Sequence, residues 1–197
     1  MESGLPLKET FPSVSRVAVL WYEPNPGADI AVGAIKAASR ELGLQLLLLP
    51  VHGSADLIGA FQAAARGRVE ALIVIEDVVA TKHRVEILNL AAAHSLAVVS
   101  QYRAFAEAGT LLAYGPSTSA MYRRAAYYVD RILKGANAGD LPVEQPAKFD
   151  LVINLKTAKA FGVTIPPNAA DVRYWHKADI PSCTAHVRFW GKADMPF

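Results

Sequence analysis

The sequence predicts an α/β fold, a doubly wound parallel sheet, and three observations carry this prediction. Short apolar runs recur along the chain, each ended by turn residues, as in strands that are buried on both faces. Segments with a helical pattern separate these runs. Hydrophobic residues make up 52% of the 197 residues and charged residues 19%, which is enough apolar material for a large core. Right-handed crossovers then give a default strand order of 2-1-3-4-5.

The first predicted strand is Arg16–Tyr22, and the turn Glu23–Gly27 follows it at once. A helix is expected to start near Pro26, because proline is tolerated in a first turn, and to end at Gly43. Its predicted inward stripe is Ile30, Ala34, Ala38 and Leu42. The other predicted strands are Leu44–Val51, Val69–Ile75, Leu96–Ser100 and Thr110–Tyr114. Helices that begin at Ser54 and Thr81 are expected between them.

A longer helical pattern begins after the fifth strand. Pro116 starts it, and the predicted helix covers Ser117–Lys134. One apolar stripe runs along it, formed by Met121, Ala125, Tyr128, Val129 and Ile132. A strand at Phe149–Leu155 and a short helix at Lys156–Phe161 complete the predicted elements.

Composition and motifs exclude several classes of function. The formal net charge of +2 is too small to indicate nucleic acid as a partner. No GxGxxG motif, P-loop or nucleophile–histidine spacing is present, so we expect no cofactor, no metal site and no catalytic residues. The single cysteine excludes an internal disulfide. The first fifteen residues lack the basic and apolar regions of a signal peptide, which predicts a cytoplasmic location for the chain as written.

Several segments, taken in order, resemble one family. They are RVAVLWYEPNPGA, EALIVIED, SQYRAFAEAGTLLAYGP, YYVDRILKGA and LPVEQPAKFDLVINLKTAKAFGVTIPP. Together they resemble the solute-binding proteins of ABC transporters, the group that includes tryptophan- and tyrosine-type binding proteins. The resemblance implies a type I periplasmic-binding fold, a periplasmic location, a small organic solute such as an amino acid, and a transporter permease as partner.

The resemblance also implies a domain organisation. Family members clamp their solute between two α/β lobes, and this chain begins where the second lobe would begin. Residues 1–14 would be a hinge remnant and residues 15–167 the substrate-binding lobe. The helix 117–134 would pack on the first lobe. With that lobe and the export signal missing from the chain, we expect the helix stripe to be exposed and to drive self-association.

Six residues are candidates for contact with the solute. Asp77, at the end of a buried strand, would accept hydrogen bonds from an ammonium group, or it would cap the following helix. Asn25 would offer its amide to a carboxylate, or it would form an ordinary Asx turn. Trp21 would line the pocket or pack in the core. Tyr102, Tyr114 and Gly115 would lie near the hinge, where the tyrosines would form aromatic walls. Glu76 is the weaker candidate, because alternation along the strand points it away from Asp77.

The last segment, residues 168–197, contains a repeat. Seven of ten positions match between VRYWHKADIP at Val172–Pro181 and VRFWGKADMP at Val187–Pro196. Two copies cannot build a core, which predicts an irregular, disordered tail.

Other interpretations of the whole chain remain open. They are an effector-binding domain of a transcription regulator and a non-functional fragment with a binding-lobe fold. A phospho-receiver domain would need an acidic pair after the first strand and a lysine after the fifth, and the sequence has neither.

Overall fold

The fold is known from a computed structural model that describes residues 14–163 and, for the backbone alone, residues 184–190. Within these ranges the strands are β1 (Arg16–Tyr22), β2 (Gln45–Val51), β3 (Ala71–Val74), β4 (Ala97–Ser100), β5 (Leu112–Pro116), β6 (Lys148–Asn154) and β7 (Thr184–Trp190). The helices are α1 (Pro26–Glu41), α2 (Leu57–Arg66), α3 (Val78–Lys82), α4 (Arg84–Ala93), α5 (Arg103–Ala108), α6 (Thr118–Leu133) and α7 (Leu155–Ala160). Short 3-10 turns lie at Ser54–Asp56 and Ala138–Asp140.

The strands form one sheet in the order β2-β1-β3-β4-β5-β6-β7. The first five are mutually parallel, as the sequence predicted, whereas β6 pairs antiparallel to β5. β7 pairs parallel to β6 in register from Lys148↔Thr184 to Asn154↔Trp190. The expectation of an irregular tail is therefore wrong over Thr184–Trp190, where backbone pairing with an open sheet edge forms a strand. The rest of that predicted tail, like the hinge remnant before Val14, lies outside the described residues.

The core has two layers because the strands alternate their side chains between the two faces of the sheet. One layer packs β1, β3 and β4 against α1 and α7, and the other packs them against α2, α4 and α5. The buried runs of β3 and β4 are fully covered on both faces. This explains why these strands have no polar alternation in the sequence.

Two helix predictions need correction. The buried residues of α1 are Ala28, Val32, Ile35 and Ser39, while Ile30 is 80% exposed. The helix carries small apolar residues on more than one face, so the spacing fits two stripes and only the position of the sheet selects one. The single helix expected from Thr81 is two helices, α3 and α4, which meet at His83.

The long helix α6 stands apart from both core layers. None of its residues is buried, and Met121, Val129 and Ile132 are 38%, 54% and 44% exposed. It packs along the connector before β6, where the Tyr128 hydroxyl donates to the Pro142 carbonyl at 2.7 Å. The Arg124 guanidinium makes a two-pronged contact with the Glu144 carboxylate, which lowers the pKa of that carboxyl. Its predicted apolar stripe is therefore left without cover in the described part of the chain.

Candidate functional site

The candidate site lies at the carboxyl edge of the sheet, where the strand order reverses between β1 and β3. The connection after β1 places α1 on one face, and those after β2 and β3 place α2 and α4 on the other. Such a reversal opens a crevice beyond the strand ends, because neighbouring connections leave in opposite directions. A small, mostly apolar crevice is present here, lined by Leu20, Trp21, Tyr22, Val51, Leu57, Ile75, Asp77, Val79, Ala80, His83 and Ile87.

Trp21 and Asp77 are the two predicted site residues that meet at this crevice. Trp21 is only 8% exposed and packs in the core layer of α1, and its indole Nε1 is buried without a hydrogen-bond partner. Asp77 is half-buried and caps α3, with its Oδ1 accepting from the Ala80 N–H at 2.7 Å. Both readings proposed for Asp77 are thus compatible with its position, since one oxygen holds the helix beside the crevice.

Asn25 also acts as a helix cap. Its Oδ1 accepts from the Gly27 N–H at 3.0 Å at the start of α1, which is the Asx geometry that its sequence context predicted. It follows β1 directly but is not among the residues that line the crevice. Asn25 therefore lies beyond the carboxyl end of β1 and outside the lining of the crevice.

Tyr102, Tyr114 and Gly115 lie at the neighbouring ends of β4 and β5. Tyr102 precedes α5 and is 36% exposed. Tyr114 is half-buried in β5, and its ring stacks on Phe149 of β6 with centroids 5.8 Å apart. Gly115 approaches β4 so closely that an added Cβ would lie 2.2 Å from the Gln101 carbonyl oxygen. Only glycine fits there without a backbone shift.

Glu76, the weaker candidate of the sequence analysis, connects the two groups of residues through its hydrogen bonds. It is 7% exposed, and its Oε1 accepts from the backbone N–H groups of Gln101 and Tyr102, both at 3.1 Å. Burial raises the pKa of the Glu76 carboxyl to about 7, although the nearby Ser100 hydroxyl and the backbone N–H groups of Tyr102 and Gln101 act to lower it. Its Oε2 is buried without a hydrogen-bond partner.

A signal for Glu76 was present in the sequence. Glutamate directly after a fully apolar strand is unusual, because this residue is rarely buried without a partner. Strand alternation was a poor guide to its side chain, since β3 ends at Val74 and Glu76 lies in the irregular segment between β3 and α3.

Other chemistry is limited among the described residues. No group of three His, Cys, Asp or Glu side chains there is arranged to hold a metal ion. His83, which also lines the crevice, pairs with Glu86 through Nδ1 at 3.1 Å. None of the helices in residues 14–163 has the length and apolar composition to cross a membrane.

Comparisons with solved structures match the fold. A conserved domain protein from Vibrio cholerae superposes with a TM-score of 0.76 at 22% identity, over 93% of this chain and 58% of that one. An ABC domain in complex with L-Trp from Streptococcus pneumonia superposes with a TM-score of 0.77 at 19% identity, over 92% and 59%. A ligand-free, open substrate-binding protein with adhesive properties from Clostridium difficile gives 0.65 at 18% identity, over 94% and 59%. The chain thus spans less than two thirds of the length of these neighbours.

A search of curated proteins finds no match to the sequence. The model of one protein family does match, under the description ABC transporter substrate binding protein, and it covers residues 3–172. This match includes every residue of the five parallel strands β1 to β5, the residues that line the crevice, and the helix α6. The chain therefore belongs to the family of ABC transporter substrate-binding proteins.

Proposed function

We propose that this protein is the solute-binding component of an ABC transporter and that it holds a small organic solute without transforming it. The match of the family model over residues 3–172 carries this proposal. The neighbour from Streptococcus pneumonia is described in complex with L-Trp, which favours an amino acid as the solute class. The partner is then a transporter permease, and the place of action is the periplasm or its equivalent.

The solute is proposed to sit at the carboxyl edge of β1, β3, β4 and β5. Trp21 supplies an apolar wall, because its ring borders the crevice. Tyr102 supplies an aromatic side chain that is still 36% exposed. Asn25 and Asp77 shape the edge through their helix caps and offer polar atoms. Tyr114 and Gly115 lie in β5, just before the chain continues into α6, and we propose that this connection is a hinge.

A solute held between two lobes makes only part of its contacts with this one. Association also costs translational and side-chain freedom, so half a site binds much more weakly than a whole one. Calorimetric titration of the purified chain should therefore use the common L-amino acids at up to about 1 mM. We expect at least one of them to bind, with a preference for aromatic side chains.

The matched variants for this test are Tyr102→Ala and Tyr122→Ala. Tyr102 lies at the proposed site, whereas Tyr122 is 72% exposed on α6. We expect the first to weaken binding by about tenfold and the second to leave it unchanged. Absence of binding across the panel, or equal effects of the two variants, would contradict the proposed function.

The uncovered face of α6 is proposed to be an interface. Leu133, Val129 and Ile132 are 82%, 54% and 44% exposed, and such apolar faces commonly mark protein contacts. In solutions of this chain we propose that a second copy covers the face. Sedimentation velocity should then show a mass that rises with concentration, and a concentration-independent monomer would refute the proposal.

A further inference from the structure

The buried carboxylate of Glu76 has an acceptor atom that the fold does not use. Its Oε1 already receives two backbone N–H groups, whereas its Oε2 has no hydrogen-bond partner. The side chain is 93% removed from solvent, since 7% of it is exposed. A carboxylate oxygen in this position normally faces a cation or a donor, because desolvation without one is costly.

Within residues 14–163, no charged side chain forms an ion pair with Glu76. The ion pairs among the described residues all involve other carboxylates. Besides burial, the groups that act on its ionisation are the nearby Ser100 hydroxyl and the backbone N–H groups of Gln101 and Tyr102, none of which carries a positive charge. When the Glu76 carboxyl is ionised, its charge therefore has no counter-ion among the described residues.

Glu76 lies between two residues that line the crevice, Ile75 and Asp77, although it does not line the crevice itself. Asp77, the next residue, lines the crevice, and Val78 is 84% exposed, so the chain passes from core to solvent within two residues. Glu76 further bridges the ends of β3 and β4, between the crevice and Tyr102.

We propose that Glu76, rather than Asp77, is the anionic anchor of the site, and that the solute carries an ammonium or guanidinium group. This inference rests on the proposed function and names the class of solute. Asp77 is the poorer anchor because its Oδ1 already serves the N–H of Ala80. A cationic group on the solute would complete the coordination that Glu76 lacks.

The test uses three probes with one ring system: L-tryptophan, tryptamine and indole-3-propionate. The first two carry an ammonium group and the third does not. For the wild-type chain we expect the ammonium probes to bind at least about 30-fold more tightly than indole-3-propionate. Glu76→Gln should abolish this discrimination, whereas Asp77→Asn, which keeps a capping oxygen, should retain it.

The outcomes separate the inference from the proposed function. Binding of the probes without discrimination, or discrimination that survives Glu76→Gln and disappears in Asp77→Asn, would overturn the inference and leave the binding function intact. If all three probes fail while other amino acids of the panel bind, and these bind Glu76→Gln as tightly as wild type, the inference is overturned and the binding function again stands. If no solute binds at all, both the inference and the proposed function are refuted.

A second measurement needs no ligand. A buried carboxylate without a counter-ion destabilises the ligand-free protein. Glu76→Gln should therefore have a higher melting temperature than wild type at about pH 8. A structural role would give the opposite result, since Glu76 would then hold the β3 and β4 ends together. A lower melting temperature for Glu76→Gln would therefore overturn the inference.

Discussion

The stability of the protein should depend on pH through Glu76 in a direction opposite to that of most carboxylates. Burial raises the pKa of this carboxyl from 4.5 to about 7 in the folded chain. Its folded pKa thus lies above its unfolded one, so the contribution to stability is fully present below about pH 4.5 and is lost as the pH rises to about 7. The Glu76→Gln variant stays neutral throughout and lacks this dependence.

The magnitude follows from the size of the shift. A displacement of about 2.5 pKa units corresponds to about 3 kcal/mol of unfolding free energy over the whole range. Between about pH 5 and about pH 8, roughly 2 to 3 kcal/mol of this should be observed. For a chain of this size that difference is roughly 5 to 10 °C in melting temperature.

Urea unfolding of both proteins at a series of pH values measures the effect. The quantity of interest is the wild-type unfolding free energy minus that of Glu76→Gln, because groups common to both proteins cancel. This difference should fall as the pH rises from about 5 to about 8. Parallel curves would refute the reasoning, since they would mean that Glu76 ionises in the folded protein without cost.

Three further predictions concern other parts of the molecule. In urea unfolding, Gly115→Ala should destabilise the protein by about 2 kcal/mol, because the added Cβ would lie 2.2 Å from the Gln101 carbonyl oxygen. Its control Gly33→Ala, in the helix α1, adds a Cβ with no atom within 4 Å and should stabilise the protein by about 0.5 kcal/mol. Backbone hydrogen bonds from Ser15 and Arg16 lower the pKa of Glu70, so the stability that this half-buried group adds should be lost as the pH falls through its folded pKa. Glu70→Ala should therefore flatten the acid limb of the curve of unfolding free energy against pH by less than about 1 kcal/mol. Ile132→Asp on α6 should weaken self-association in sedimentation by about tenfold, while Ile58→Asp on α2, also exposed, should not change it.

The sheet was predictable because its strands are apolar on both faces. A run such as Ala71–Ile75 has no polar residue that would favour a solvent-facing side, and turn residues before it and acidic residues after it mark its ends. The order of the first five strands followed from the handedness and length of the connections. The helix stripes were less predictable, because α1 has small apolar residues on several faces and only packing on β1 selects Val32 and Ile35.

The candidate site was likewise predictable only in part. Asn25 and Asp77 were recognisable as caps or ligands from their positions after apolar runs, and their capping bonds are present. Glu76 was ranked below Asp77 because its role depends on a neighbouring strand. Its partners Gln101 and Tyr102 are distant in sequence and reach it only through the pairing of β3 with β4.

The sequence by itself determined the fold class, the strand order through β5 and the family, since these rest on periodicity and on ordered local motifs. Tertiary structure alone decided which carboxylate is buried, why Gly115 must be glycine, that α6 stands free of the core and that Thr184–Trp190 extends the sheet. The physical reason is that desolvation, close approach and edge pairing depend on what lies opposite a residue. That neighbour belongs to another element of the chain, so no local pattern in the sequence specifies it.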